Sequence, residues 1–239
     1  MKKAIVIGAS SGIGKELALR LARAGYAVGL MARRVPLLES LQKEIHTQTF
    51  VGAIDLTKPE EALKQAQAMI DKMGGLDLMV ISSGTASINY DLHWEKEKQT
   101  ILVNVEGFCI LAGLAFNTFK KEGHGHLVGI SSIAALGGNN HAPAYNASKA
   151  FMSNYLEGLR KKAFQEKLAI AVTDVRPGYV DTPMALGDHK FWVASPQKAA
   201  EQIFEAIRKK KEVVYITKRW SLIAYAMKIL PFWIYKRVN

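Results

Sequence analysis

Three side chains in the middle of the chain could share one proton transfer. Tyr145 and Lys149 stand four residues apart where a helical pattern begins, so both project from one helix face. A free tyrosine has a pKa of about 10, too high for easy proton exchange at neutral pH. An adjacent ammonium favours the phenolate and is expected to bring that value down. Ser132 follows an apolar run, thirteen residues before Tyr145, and its hydroxyl could hold an oxygen that gains negative charge. Tyr and Lys at this spacing also occur on ordinary solvated helix faces, so the pair acquires meaning only from its surroundings.

A second cluster lies near the start of the chain. The run Ala4–Ile7 ends in Gly8-Ala9-Ser10-Ser11-Gly12-Ile13-Gly14, and a helical pattern follows. Glycines let the backbone turn sharply and approach a pyrophosphate closely. The helix N-terminus then offers free N–H groups and a positive dipole end to phosphates. The spacing is Gly-x-x-x-Gly-x-Gly rather than the commoner Gly-x-Gly-x-x-Gly, and alone it could be a tight connection. At the first strand–helix junction of an alternating chain it reads as a dinucleotide site. The second strand ends in Ala32-Arg33-Arg34, where an acid would hold the ribose 2′-hydroxyl of NAD. An acid would repel a 2′-phosphate, whereas a guanidinium can grip it. The expected cofactor is NADP(H), with Arg33 as the main contact and Ser10 or Arg34 assisting.

These groups need a frame that brings them to one edge. Strands are predicted at Ala4–Gly8, Ala27–Ala32, Thr49–Ile54, Leu76–Ser82, Gly125–Ser131, Leu168–Val175 and Glu212–Thr217. Several are apolar on both faces, as buried parallel strands should be. Between them, Gly14–Ala24 places Leu17, Leu21 and Ala24 at helical spacing, and Pro59–Met73 places Leu63, Ala66 and Ile70 on one face. The alternation implies an α/β, single-domain, doubly wound Rossmann fold: a seven-stranded parallel sheet with helices on both faces. Ligands bind at the strand C-terminal edge of such a sheet. The catalytic domain is expected over 1–217, with 218–239 as a tail rather than an independent domain.

Together these motifs resemble the short-chain dehydrogenase/reductase family from Ala4 to about Thr217. The Gly8–Gly14 loop matches its cofactor motif, and Ser132, Tyr145 and Lys149 match its Ser, Tyr-x-x-x-Lys pattern. Asp55-Leu56 resembles the family's adenine contact. Asn104-Val105-Glu106-Gly107 is similar to its Asn-x-x-Gly segment, whose asparagine holds a water in a proton relay with the lysine. Pro177-Gly178, with Val180 and Thr182, looks like the segment that cradles the nicotinamide. The resemblance therefore implies a catalytic set of Asn104, Ser132, Tyr145 and Lys149, with Tyr145 and Lys149 also touching the cofactor. It implies hydride exchange between NADPH and a ketone or aldehyde, or the reverse on a secondary alcohol. Where the family has Asn-Asn-Ala-Gly after its fourth strand, this chain has Ile81-Ser82-Ser83-Gly84. Ser83 and Gly84 keep the cofactor approach, and the two lost asparagines require different local packing. A non-catalytic NADP-binding sensor or scaffold is the alternative, and the intact catalytic set argues against it. Relatives imply a homodimer or homotetramer through the helices near Asn104–Lys121 and Tyr145–Lys167.

The chain has 239 residues, 49% hydrophobic and 22% charged, which is globular composition. Its single cysteine, Cys109, excludes an internal disulfide, fits a reducing, cytoplasmic setting and reads as buried core. His124 and His126 read as solvated turn residues rather than metal ligands, and no metal is expected. His141 either borders the substrate or is a passive loop residue. Met184 to Ala194 is expected to cover the substrate, with Met184, Leu186, Phe191 and Trp192 favouring an apolar group.

Net charge is +11, of which the stretch 208–239 holds +8: nine basic residues less Glu212. Within it, Trp220 to Tyr235 is rich in Trp, Tyr, Ile and Leu and flanked by Lys218, Arg219, Lys236 and Arg237. It is shorter than the ~20 apolar residues of a membrane span. It suits either a peripheral segment on anionic lipid or a helix packed on its own domain or a partner subunit. A nucleic-acid partner is not expected.

Overall fold

Short apolar runs bounded by glycines and polar turns bury both faces of an extended chain, and seven of them form one parallel sheet. A computed structural model of the chain describes residues 1–184, 191–229, 231 and 233. The strands are β1 (Lys3–Ile7), β2 (Ala27–Ala32), β3 (Thr49–Ala53), β4 (Leu78–Ile81), β5 (His124–Ile130), β6 (Ala169–Pro177) and β7 (Val213–Ile216), in the order β3-β2-β1-β4-β5-β6-β7. The order reverses between β1 and β4, and this is the switch point at which such sheets open a ligand crevice. β4 starts two residues later than expected, because the Leu76 N–H goes to the Glu122 carboxylate at 3.2 Å instead of into a ladder.

The helices are α1 (Gly12–Arg23), α2 (Val35–Lys43), α3 (Pro59–Met73), α4 (Trp94–Ile101), α5 (Gly107–Glu122), α6 (Pro143–Gln165), α7 (Pro196–Arg208) and α8 (Trp220–Ile229). They cover the sheet with two cores. Leu17 and Leu21 of α1, Leu38 and Leu41 of α2, and Ile203 and Phe204 of α7 fill one side. Met69 of α3, Phe108, Phe116 and Phe119 of α5, and Met152 and Leu156 of α6 fill the other. Each fully buried large apolar side chain contributes about 2–3 kcal/mol. A π-helical turn (Leu102–Glu106) joins α4 to α5. The continuous helix Trp94–Glu122 is long and apolar enough to cross a membrane, but half of its most apolar stretch is buried in this core.

Two expectations change here. Gly123, at φ +79°, ends α5 in a left-handed turn, so β5 begins at once and takes His126 inside. His126 is buried and shares a 2.8 Å hydrogen bond with Thr173. Burial, then the Lys210 charge, push its pKa down to about 4. His124 does remain exposed, 2.9 Å from Asp77. Cys109 is only half-buried and borders a shallow groove of about 430 Å³ between α3 and α5, with Leu63 and Leu114. Burial raises its thiol pKa, which disfavours the thiolate.

Candidate active site

The phosphate loop follows β1. Gly8 sits at φ +90° and a Cβ there would lie 2.8 Å from the Ser83 amide nitrogen. A Cβ on Gly14 would lie 2.2 Å from the Gly8 carbonyl oxygen. The loop is therefore as tight as its composition allows, and Ser82-Ser83 presses on it from β4. Ser11 precedes α1 with extended backbone and makes no side-chain cap, which leaves the first N–H groups of the helix directed to the crevice. Its hydroxyl is occupied differently: Arg34 Nη2 donates to Ser10 Oγ at 2.9 Å and to Ser11 Oγ at 2.8 Å. Arg34, rather than Arg33, is thus clasped to the loop, and Arg33 is exposed beside it. Ile13 packs partly buried against the first core.

At the end of β3, the Asp55 carboxylate accepts the Thr57 N–H at 3.0 Å and shapes the turn. The Leu56 side chain is buried against Gly107. After β6, Gly178 N–H bonds the Ile216 carbonyl at 2.7 Å, and Val180 pairs with Ala194. Thr182 lies against Gly12, so the expected nicotinamide segment closes on the phosphate loop.

Between these two walls the acid–base residues converge. A Cβ on Gly84 would lie 3.3 Å from Asn104 Oδ1, 3.4 Å from Lys149 Nζ and 3.8 Å from Met184 Cε. Ser132 is buried at the C-terminal edge of β5; its Oγ accepts the Ala134 N–H at 3.1 Å and bonds the Tyr145 hydroxyl. Tyr145 as a whole is half-exposed, yet its hydroxyl is surrounded by protein. Burial raises its pKa, and the Ser132 hydrogen bond only partly opposes this. The expected lowering by Lys149 is not what the geometry produces. Lys149 Nζ lies 5.7 Å from the Tyr145 ring centroid and donates instead to the Ile130 carbonyl at 3.0 Å. Lys149 is itself buried, which pushes its ammonium down to about 8, against the pull of Asp174.

Asn104 lies in the π-helical turn, which swings its side chain toward the segment after β4. Its Oδ1 accepts the Thr85 N–H at 2.8 Å, and its Nδ2 donates to the Thr85 carbonyl at 2.8 Å and to Ser148 Oγ at 3.0 Å. This amide braces the segment after β4. Among the described residues, no three His, Cys, Asp or Glu side chains stand together as a metal cluster.

Residues 2–190 match the family described as short chain dehydrogenase. The chain belongs to this family. An oxidoreductase of Myxococcus xanthus, itself uncharacterized, is 35% identical over 188 residues, 77% of this chain and 74% of that one. An alcohol dehydrogenase of Thermococcus sibiricus, solved with 5-hydroxy-NADP, is 25% identical with a TM-score of 0.77, covering 90% and 95% of the two chains. A short-chain dehydrogenase of Sphingobium yanoikuyae, solved with NADPH, shares the fold at 22% identity and a TM-score of 0.82, covering 97% of each. The protein is thus an oxidoreductase of the short-chain dehydrogenase type with a Rossmann nucleotide-binding fold.

Three residues of this short-chain dehydrogenase site escaped sequence reasoning. Ser148 relays Asn104 to the Tyr145 carbonyl at 2.7 Å; its place three residues after Tyr145 was the available signal. Asp174, fully buried on β6, accepts from Ser131 Oγ and from Arg176 Nε. Trp220, the first residue of α8, lies against Gly178, where a Cβ would be 2.0 Å from the indole. Phe191 stacks on Trp220 at 5.0 Å, with Tyr179 and Trp192 edge-on to it. The start of the tail therefore packs on its own domain. Leu186, expected in the substrate cover, lies outside the described residues.

Proposed function

We propose that this short-chain dehydrogenase is an NADP(H)-dependent carbonyl reductase, interconverting a ketone or aldehyde with its alcohol. The observation that carries this reading is one connected group: Asn104 and Lys149 meet beside Gly84, Lys149 Nζ lies 5.7 Å from the Tyr145 ring centroid, and Tyr145 bonds Ser132. The cradle fits the cofactor: Gly8 and Gly14 leave no room for a Cβ, and Arg34 holds two hydroxyls where a 2′-phosphate would add a third acceptor group.

The bound nicotinamide supplies the hydride in reduction and accepts it in oxidation. Ser132 holds the substrate oxygen, and Tyr145 gives that oxygen its proton. The raised pKa of Tyr145 keeps it protonated at neutral pH, which suits an acid. Lys149 carries positive charge near the ring and orients the cofactor ribose. Phe191, Trp192, Tyr179 and Trp220 favour an apolar substrate group. Exposed Phe151 and Phe164 on α6 support the expected assembly through this helix.

Titration with NADPH and with NADH, followed by nicotinamide fluorescence and a carbonyl screen, tests the reading. NADPH should bind more tightly, and Tyr145→Phe should retain binding while losing turnover by roughly 10²–10⁴-fold. Full turnover in Tyr145→Phe would overturn the assignment.

A further inference from the structure

α8 has two unlike sides. Trp220 and Ala224 are turned into the protein, at 3% and 2% exposure. Leu222, Tyr225 and Ile229, spaced by three and four residues, share the opposite side and are 68%, 73% and 73% exposed. Trp233 just beyond is 60% exposed. The helix rests on the turn Ile133–Leu136, which follows catalytic Ser132, and on β7. Next to it, Phe191, Trp192 and Val193 are exposed as well, and the Arg219 guanidinium lies 5.5 Å from the Trp192 ring centroid. A row of large apolar side chains thus stands in water beside the mouth of the site.

We propose that this face of α8, with the neighbouring aromatic segment, docks on an anionic lipid bilayer. Charge selects the occupant. The stretch 218–239 has five cations, Lys218, Arg219, Lys228, Lys236 and Arg237, and no acid. Pairing two copies of this stretch brings five cations toward five with no acid to offset them, whereas anionic headgroups neutralise them. Trp and Tyr suit the depth at which hydrocarbon meets headgroups, and an amphipathic helix with apolar and cationic sides lies in that plane. The described helix, Trp220–Ile229, is ten residues, shorter than a bilayer span, and is anchored to the domain through Trp220, so the proposed contact is peripheral. Docking turns the turn Ile133–Leu136 and Phe191–Trp192 toward the membrane. The substrate class that follows is a carbonyl on a membrane-embedded apolar chain. That last step rests on the reductase reading; the docking itself does not.

The test is sedimentation of the full chain with phosphatidylcholine vesicles, with and without phosphatidylglycerol. The parent should pellet with the anionic vesicles and largely stay in solution with the neutral ones, and added salt should release part of it. Lys218→Glu should weaken binding about fivefold or more. Leu222→Ser with Ile229→Ser, both on the exposed side, should abolish pelleting while NADPH binding and circular dichroism stay unchanged. A parent that does not pellet with anionic vesicles overturns the proposal. So does pelleting that the double variant leaves intact. Loss of mass by light scattering in the double variant, with no lipid binding by the parent, would instead make the face a contact between copies. Failure of the carbonyl screen alone would remove the reductase reading and leave the docking result standing.

Discussion

Asn104 Nδ2 donates to Ser148 Oγ at 3.0 Å, and Ser148 passes the contact on to the Tyr145 carbonyl. Both residues are 2% exposed. The pair ties the π-helical turn to the helix that carries Tyr145 and Lys149. Asn104→Ala removes the side-chain partner of the Thr85 N–H and carbonyl, and takes one donor from Ser148 Oγ, which keeps its bond to the Tyr145 carbonyl. Thr85 is only partly buried, so each lost partner costs less than the roughly 1–3 kcal/mol of a fully buried group. Thermal unfolding should show that loss, and turnover should fall with it. Ser148→Ala removes one relay and should lower kcat roughly tenfold with little change in NADPH affinity. Unchanged kcat in both variants would mean that the brace has no part in placing Tyr145.

Cofactor choice should follow Arg34 more than Arg33. Arg34→Asp puts a carboxylate near Ser10 and Ser11 in place of the guanidinium they now bind. NADPH affinity should drop on the order of a hundredfold, as expected when a paired charge becomes a like charge. NADH affinity should hold or improve. Arg33→Asp should do less, because Arg34 and not Arg33 makes the hydrogen bonds to Ser10 and Ser11. A larger effect at Arg33, measured by fluorescence titration, would instead favour the expectation drawn from sequence, with Arg33 as the main contact.

Lys149 should set an alkaline limit on activity. Burial pushes its ammonium down to about 8, and Asp174 pulls it back up. Asp174→Asn removes a negative charge near a cation, so the charged form loses support and the limit moves to lower pH. Arg176 works in the other direction, since it pairs with Asp174 at 2.7 Å. Arg176→Met leaves that carboxylate unpaired and should move the limit to higher pH. Opposite shifts of the kcat–pH profile separate charge from mere damage to β6. The same sense of shift in both variants would count against it.

Stability should depend on His126 in mild acid. Its folded pKa of about 4 lies below the unfolded value of about 6.5. A depressed histidine contributes fully above the unfolded pKa and loses that contribution as pH falls through the interval toward 4. Roughly 3 kcal/mol is at stake across the interval. Urea unfolding at neutral pH and near pH 4 should show it, and His126→Gln should flatten the difference. An unchanged pH dependence in that variant would place the acid sensitivity elsewhere.

The strands and helices α1, α3, α5 and α6 were legible because their signals are local. Runs such as Ala4–Ile7, ended by Gly8, and Leu127–Ile130, ended by Ser131-Ser132, carry no helical period, so they read as buried strands. The Gly8–Gly14 loop and the Tyr145–Lys149 spacing also lie within one turn or one helix start. His126 was misplaced because its position in a predicted strand does not reveal that β6, through Thr173, covers its side of the sheet. Cys109 was read as core because an apolar helix segment does not reveal which of its sides meets the sheet. The tail's apolar pattern, likewise, did not say whether protein or solvent covered it; Trp220 and Leu222 answer differently within one helix.

By itself the sequence determined what consecutive residues can decide: seven strands, the alternation that makes them parallel, a phosphate-sized turn, and a tyrosine and lysine on one helix face. Tertiary structure alone decided which groups surround them. The β5–β6 register sets Gly129 beside Asp174, and that register brings the carboxylate to Ser131 and within reach of Lys149. The π-helical turn carries Asn104 to Thr85 and Ser148, and the path of α8 lays Trp220 on Gly178. The reason is physical. Period and turn chemistry are written along the chain, whereas burial, register and the charges that tune a buried ammonium exist only once distant segments pack together.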